Sequence, residues 1–238
     1  MRYNISAIIN FHSEGKLAEK TIRSVEAAIS EAKHFRGLNC EVILILDKAS
    51  SDTKENILQF SNYPDFKILN VDYGDLALSR NHGVEVSDSD YIAFLDGDDM
   101  WGKEWLWRAF DADQNILETE TVWHPEVNIF FGKEQMMFIH TDMDSKEFVL
   151  DYLRISNYWT ALSFGKASIF KELPFKENRL DKGFGFEDWN WNCRVIEKGI
   201  KHKIVENTCH FIRTKESGSL LEKTNAMNCI VTPHGLFK

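Results

Sequence analysis

The first hundred residues alternate between two textures. Short apolar runs at Ile5–Phe11, Val42–Leu46, Phe66–Val71 and Tyr91–Leu95 have the length and aliphatic content of buried strands. Between them, Leu17–Phe35 places Leu17, Ile22, Val25, Ile29 and Ala32 at near-helical spacing. Thr53–Phe60 and Leu76–Val86 read as further helices, the first with Ser51 or Asp52 as its N-cap. Strand alternating with helix predicts an α/β fold, a mixed but mainly parallel sheet flanked by helices on both faces.

The second half is less regular. A helix is expected over Lys103–Thr119, a hairpin from Val127–Phe131 and Gln135–Ile139 through Gly132, and a helix over Glu147–Ile155. Leu180–Phe186 is a glycine-rich loop ahead of a helix at Asp188–Lys198, which Gly199 ends. His202–Val205 and Cys209–Ile212 read as strands. The stretch from Ser217 onward has too little periodicity to place. With no repeat or clear linker, one continuous domain over 1–238 is expected.

In parallel sheets, ligands bind outside the carboxyl ends of the strands. His12 and Ser13 follow the first strand here, Asp47 the second, and Asp96, Asp98 and Asp99 the fourth. These residues should share a cleft.

Composition narrows the partners. With 28 basic and 37 acidic residues the net charge is −9, which disfavours sequence-independent nucleic-acid binding. The cysteines at 40, 193, 209 and 229 form no C-x-x-C pair and read as reduced thiols of a cytoplasmic chain. The N-terminus lacks a signal-peptide pattern, and no apolar run is long enough to cross a bilayer.

Five segments carry candidate chemistry. Asp96-Gly97-Asp98-Asp99 delivers three carboxylates from a strand end. They suit a hard cation such as Mg²⁺ or Mn²⁺, or else a solvated turn capping the next helix. Asp47 could accept from a base or a ribose hydroxyl, or serve as a turn residue. Arg80 could fork onto phosphate, or be a solvated helix residue. Glu187 and Asp188 open a helix, where acids favour the dipole. Phe184, Phe186, Trp189 and Trp191 around them would desolvate an acid and raise its pKa toward a general base's range. His210, on a strand, is by itself more often structural than a ligand. No Walker loop, G-x-G-x-x-G, G-x-S-x-G elbow or zinc pattern is present.

The order of these segments resembles the family 2 glycosyltransferases of the GT-A fold, across roughly residues 5–215. Asp47-Lys-Ala-Ser-Ser-Asp-Thr is similar to that family's D-N-A-S-x-D-x-T segment, and Ala77–Gly83 to its A-x-A-R-N-x-G helix. Leu95-Asp-Gly-Asp-Asp99 is similar to its metal motif, and Phe186-Glu-Asp188-Trp to its base motif. The resemblance implies inverting transfer of a sugar from a nucleotide-sugar donor, UDP by default, to a saccharide or lipid-linked saccharide acceptor. It implies a Rossmann-like nucleotide-binding half over 1–100, an acceptor-binding half over 101–216 and a tail over 217–238.

Carried over residue by residue, Asp47 and Phe11 would contact the nucleobase, and Arg80 the base or the diphosphate. Asp96, beside Gly97, would contact the ribose or the metal's water shell. Asp98 and His210 would bind Mn²⁺ or Mg²⁺. Asp188 would be the base, with Glu187 as second choice. Arg213, in the loop to Ser219, could close over the diphosphate. Lys48 departs from the family pattern, and the Q-x-x-R-W motif of processive members is absent, which points to single-sugar transfer. Bacterial surface polysaccharide synthesis is the context implied. A lipid-linked acceptor would bring the chain to the inner face of the membrane, with Trp101, Trp105 and Trp107 as a contact there, as core or as acceptor-site packing. The rivals are a nucleotidyltransferase on a similar fold and a non-catalytic binding subunit. Oligomeric state is not legible.

Overall fold

The structure, a computed structural model, describes residues 2–116 and 119–237. It opens with β1 (Tyr3–Phe11), α1 (Leu17–Arg36), β2 (Cys40–Asp47), α2 (Ser51–Leu58), β3 (Phe66–Val71), α3 (Leu76–Val86) and β4 (Ser89–Asp96). The chain continues with β5 (Met100–Trp101), α4 (Trp105–Gln114), β6 (Thr121–Gly132), β7 (Met136–Ile139), β8 (Phe164–Lys166) and α5 (Ala167–Glu172). It closes with β9 (Phe184–Gly185), α6 (Glu187–Glu197), β10 (Lys201–Thr214), α7 (Leu220–Ala226) and β11 (Ile230–Val231).

One sheet runs through both halves in the order β3-β2-β1-β4-β8-β6-β10-β5, with β7 on β6. β3, β2, β1 and β4 are mutually parallel, and β8 is antiparallel to β4 and β6 on either side. β6 and β10 are parallel again. The sheet is thus mixed and mainly parallel, as the alternation of strand and helix implies.

The central strands show why the apolar runs are unbroken. Successive side chains point to opposite faces, and both faces are covered. Ile5, Ala7, Ile9 and Phe11 of β1 join Val42, Leu44 and Leu46 of β2 and Tyr91, Ala93 and Leu95 of β4 in one core under α1 and α4. Ile8, Ile43, Ile45, Ile92 and Phe94 face the other way, with α3, α5 and α6. α1 ends at Gly37, whose φ of 66° suits a residue without Cβ and whose N–H returns to Ala32 and Lys33.

Several expectations are corrected. The cap of α2 is Ser50, whose hydroxyl accepts from the Thr53 N–H, and not Ser51 or Asp52, which already lie in the helix. The helix expected over Lys103–Thr119 is confined to α4; residues 117–118 lie outside the described residues. The helix expected at Glu147–Ile155 shrinks to a 3-10 stretch at Leu150–Arg154. The strands at His202–Val205 and Cys209–Ile212 are one strand, β10, interrupted by a register shift between Val205 and Cys209. Asn207 sits in that interruption at a φ of 59°.

Trp101 and Trp105 are core residues, 3% and 0% exposed, so neither offers a membrane contact. Trp107 meets Phe35 in a tilted ring contact and lies under the guanidiniums of Arg36 and Arg108. The unplaced tail forms α7 and β11, and β11 pairs with β9 just ahead of Glu187. Among the described residues, no helix is long and apolar enough to cross a membrane.

Candidate active site

The carboxyl ends of β1, β2 and β4 open into one cleft of about 390 Å³. That is within the range of small-molecule sites. Its walls include Asn10–Glu14, Asp47, Asp75, Asp96–Asp99, Arg213 and Lys215, and α7 contributes Leu220, Leu221 and Lys223. The tail, unreadable in the sequence, therefore forms one wall.

Gly97 is required by close approach. A Cβ there would stand 2.4 Å from Phe11 Cδ1 and 2.7 Å from the Asn10 carbonyl oxygen. The Gly97 carbonyl accepts from Thr21 Oγ1 at 2.9 Å, which ties the acidic turn to α1. Phe11 lines the cleft with its ring 1% exposed.

Asp98 Oδ2 is ion-paired with Lys215 Nζ at 3.1 Å and with an Arg213 guanidinium nitrogen at 3.3 Å. Asp99 accepts from the Arg213 backbone N–H at 2.7 Å. Burial, then the charges of Asp96 and Asp98, raise the Asp99 pKa well above the ordinary carboxylate value. The strand end thus concentrates negative charge, and β10 brings cations to meet it.

Two residues expected to meet a ligand also make contacts within the protein. Asp47 accepts from the Gly74 and Asp75 N–H groups at 2.8 and 3.1 Å and from Ser79 Oγ at 2.7 Å. Its carboxylate organises the turn into α3 as it lines the cleft. Arg80 is 2% exposed and does not line the cleft. One of its guanidinium nitrogens donates to Asp96 Oδ1 and another to Glu187 Oε1, each at 2.9 Å. It joins the acidic turn to the start of α6, and among the described residues its buried Nε has no hydrogen-bond partner.

Asp188 follows Phe186, a non-glycine residue at a φ of 57° that caps α6 without a side-chain hydrogen bond. Such a position is strained and persists where the surroundings over-determine it. Glu187 spends a carboxylate oxygen on Arg80, while Asp188 has no ion pair among the described residues. Burial, followed by the adjacent Glu187 charge, pushes the Asp188 pKa up to about 7, while Arg80 pulls in the other direction. Asp188 stands outside the cleft lining and is tied to it through Glu187, Arg80 and Asp96.

His210 does not reach the cleft. Its ring is 0% exposed and packs edge-on to Trp105 at 4.7 Å, with Trp101 at 6.4 Å. Neither ring nitrogen has a hydrogen-bond partner among the described residues, and burial drives its pKa far down, so the ring is neutral. The alternation of β10 explains this: Arg213 meets Asp98 and Asp99, while His210 turns into the core beside α4. The structure does not bring together the expected pair of Asp98 and His210.

The donors can be tested against a divalent cation. Asp96 and Asp98 offer the hard oxygens that Mg²⁺ or Mn²⁺ prefers. Among the described residues, no group of three or more His, Cys, Asp or Glu is arranged to hold a metal. The site fits such a cation in kind, with the remaining coordination left to a ligand's own oxygens and water. Two protein cations already balance Asp98.

The chain matches the family described as Glycosyl transferase family 2 over residues 6–173. It belongs to that family. The match ends before Glu187, Asp188 and Arg213, so the second half of the site lies outside it.

Among relatives, the chain is 26% identical over 181 residues to the Escherichia coli UDP-Glc:alpha-D-GlcNAc-diphosphoundecaprenol beta-1,3-glucosyltransferase WfaP, covering 75% of this chain and 65% of WfaP. It is 27% identical over 99 residues to the poly(ribitol-phosphate) beta-N-acetylglucosaminyltransferase TarP of Staphylococcus aureus, covering 40% of this chain and 28% of TarP. The crystal structure of S. aureus TarS 1–349 in complex with UDP-GlcNAc superposes with a TM-score of 0.62 at 18% identity. That likeness covers 90% of this chain and 60% of TarS 1–349, and it supports the GT-A fold. The chain spans less than two-thirds of the length of each of these relatives.

Sequence reasoning missed the ion pair of Lys215 with Asp98 and the bridging role of Arg80. Lys215 lies in the loop singled out for phosphate, two residues from Arg213, and the period of a strand would have put both on one face.

Proposed function

We propose that this family 2 protein is an inverting glycosyltransferase, holding a nucleotide-sugar donor in the cleft and passing its sugar to an acceptor hydroxyl. The observation that carries this reading is the buried bridge Asp96–Arg80–Glu187. It ties the acidic cleft to the start of α6, where Asp188 has a pKa that suits a base at neutral pH.

In this reading Asp188 takes the proton of an acceptor hydroxyl. The freed oxygen attacks the anomeric carbon, the bond from that carbon to the phosphate oxygen breaks, and the nucleoside diphosphate leaves with the electron pair. Attack from the face opposite the leaving group inverts the centre. Asp98, with Asp96 beside it, would hold a divalent cation, Mn²⁺ or Mg²⁺, which when bound neutralises charge on the diphosphate. Arg213 and Lys215 line the same cleft and can donate to phosphate oxygens once released from Asp98.

The donor is a UDP-sugar by analogy with WfaP and with the UDP-GlcNAc complex of TarS. WfaP acts on a diphosphoundecaprenol-linked sugar and TarP on a poly(ribitol-phosphate), so a lipid-linked or polymeric saccharide is the acceptor class proposed here. That class would place the chain at the cytoplasmic face of the membrane, in surface polysaccharide synthesis.

Incubation with UDP-glucose or UDP-N-acetylglucosamine and Mn²⁺, with and without a polyprenyl-diphosphate-linked saccharide, tests the reading. Acceptor-dependent release of UDP is expected, and Asp188→Asn should abolish it while sparing UDP binding. Exchange of pyrophosphate into the nucleotide sugar, without acceptor-dependent UDP release, would assign nucleotidyl transfer instead.

A further inference from the structure

Asp188 has one side-chain hydrogen-bond partner of particular interest, and it comes from a distant part of the chain. Asn157 Nδ2 donates to Asp188 Oδ2 at 3.2 Å. Asn157 lies after the 3-10 stretch, in a segment with no regular structure of its own. Such a segment needs outside restraint to hold one amide within reach of one carboxylate.

That restraint is present, and backbone groups set its direction. Asn157 Oδ1 accepts from the Trp159 N–H at 3.4 Å and from Asn192 Nδ2 at 3.1 Å. A backbone N–H can only donate, so the oxygen of Asn157 must face it and the NH₂ must face Asp188. Asn192 Nδ2 also donates to the Trp159 carbonyl at 3.2 Å, and a carbonyl can only accept. Both amides are therefore oriented by main-chain atoms. Asn192 is 0% exposed and sits one turn beyond Asp188 on α6.

The chain of donors continues inward. His202 Nε2 lies 3.3 Å from the Asn192 carbonyl, and His124 Nε2 lies 2.9 Å from His202 Nδ1. The carbonyl accepts, so His202 carries its proton on Nε2 and receives the Nε2 proton of His124 on Nδ1. Burial keeps both rings neutral. Trp159 stacks on His202 with centroids 4.2 Å apart, which braces the backbone that Asn157 leans on.

We infer that Asn157 is a positioning residue for Asp188: its amide, locked by Asn192 and the Trp159 backbone, holds the carboxylate in one rotamer and favours its ionised form. The inference rests on the reading of Asp188 as the base for its functional meaning, though not for its geometry. A donor to the charged form lowers a carboxyl pKa, opposing burial. The charged groups on the neighbouring elements are Glu187 on α6 itself and Arg80 on α3, with Asp96 of β4 beyond Arg80.

The test reads Asp188 directly, by carbon-13 NMR titration of protein labelled at the aspartate carboxyl carbons, with Asp188→Asn identifying the resonance. Asn157→Leu should move the Asp188 midpoint upward by up to about one pH unit, the size expected for loss of one hydrogen bond to a charged group, while the backbone N–H groups of Trp189 and Asp188 go on holding the charged form. Asn157→Ser, which keeps a hydroxyl donor, should return part of the shift. Asn192→Leu should move the midpoint in the same direction by freeing Asn157. An unchanged midpoint in folded Asn157→Leu overturns the inference. If that variant does not fold, an unchanged midpoint in Asn192→Leu does so. The outcome is separate from the activity assay: Asp188→Asn retaining acceptor-dependent turnover would remove the base assignment while leaving the Asn157 contact as measured.

Discussion

Arg80 and Glu187 are 107 positions apart, yet a guanidinium nitrogen of one donates to a carboxylate oxygen of the other at 2.9 Å inside the protein. The second arm of the guanidinium reaches Asp96 at the same distance. One side chain thus joins the acidic turn at Asp96 to the first residue of α6, and the charges of Glu187 and Asp96 make its burial tolerable. Removing one partner of a buried pair leaves charge uncompensated, at roughly 3–5 kcal/mol.

Arg80→Leu should accordingly lower unfolding stability by about 3–5 kcal/mol, read by urea denaturation at neutral pH. Loss of the arginine charge should also raise the Asp188 pKa, since Arg80 lowers it in the wild type. Arg80→Lys should recover only part of the stability, because a single ammonium cannot span both carboxylates as a guanidinium does.

Turnover should rise with pH through about 7 as Asp188 loses its proton. Glu187→Gln removes a neighbouring charge that raises the Asp188 pKa, so the acid limb of the pH–rate profile should move to lower pH, provided the variant keeps its contact with Arg80. Stability carries the opposite sign. A carboxyl with a raised folded-state pKa contributes fully below its unfolded value, near 4, and that contribution is lost as pH rises through about 7. Asp188→Asn should therefore gain stability relative to wild type above pH 7, by about 1–3 kcal/mol, and little below pH 4. Thermal melts at the two pH values check the sign.

Gly97→Ala should disturb both fold and cleft. The new methyl would meet the Phe11 ring at 2.4 Å and the Asn10 carbonyl at 2.7 Å. Overpacking of this kind costs about 1–3 kcal/mol. Because Phe11 and Asn10 line the cleft, UDP affinity should fall along with the melting temperature, as calorimetric titration would show.

Lys215 and a divalent cation should compete for Asp98. Mn²⁺ binding should be weak without nucleotide and tighten when UDP supplies phosphate oxygens. Lys215→Met, with the 3.1 Å ion pair gone, should strengthen Mn²⁺ binding to the nucleotide-free protein. Electron paramagnetic resonance of free Mn²⁺ measures both. Equal Mn²⁺ affinity in the wild type and Lys215→Met would count against a cation at Asp98.

His210→Phe separates core from site. The ring is buried against Trp105 with two unpartnered nitrogens, so an apolar ring of similar shape should hold or raise the melting temperature. UDP-sugar turnover should survive. Loss of turnover to the level of Asp98→Asn would show that the imidazole reaches the cleft in the working enzyme.

The α/β alternation, the strand ends and the acidic turn were legible in the sequence because each depends on neighbours along the chain. Buried parallel strands declare themselves by unbroken Ile, Val and Leu, and β3 and α3 fall at the predicted residues. The sequence by itself therefore determined the sheet, the placement of Asp96–Asp99 at its mouth and the family. The tertiary structure decided the rest. Arg80 was legible as a charge near the cleft, and only the approach of α6 made it a buried bridge. His210 and Arg213 are three residues apart on one strand, and the packing of α4 against β10 decided that the first faces the core and the second the acids. Asn157 and the α7 wall left no local trace, since their roles rest on contacts across tens to hundreds of residues. A pattern of period 2 or 3.6 records which face of an element is apolar, and says nothing of which distant side chain will meet it.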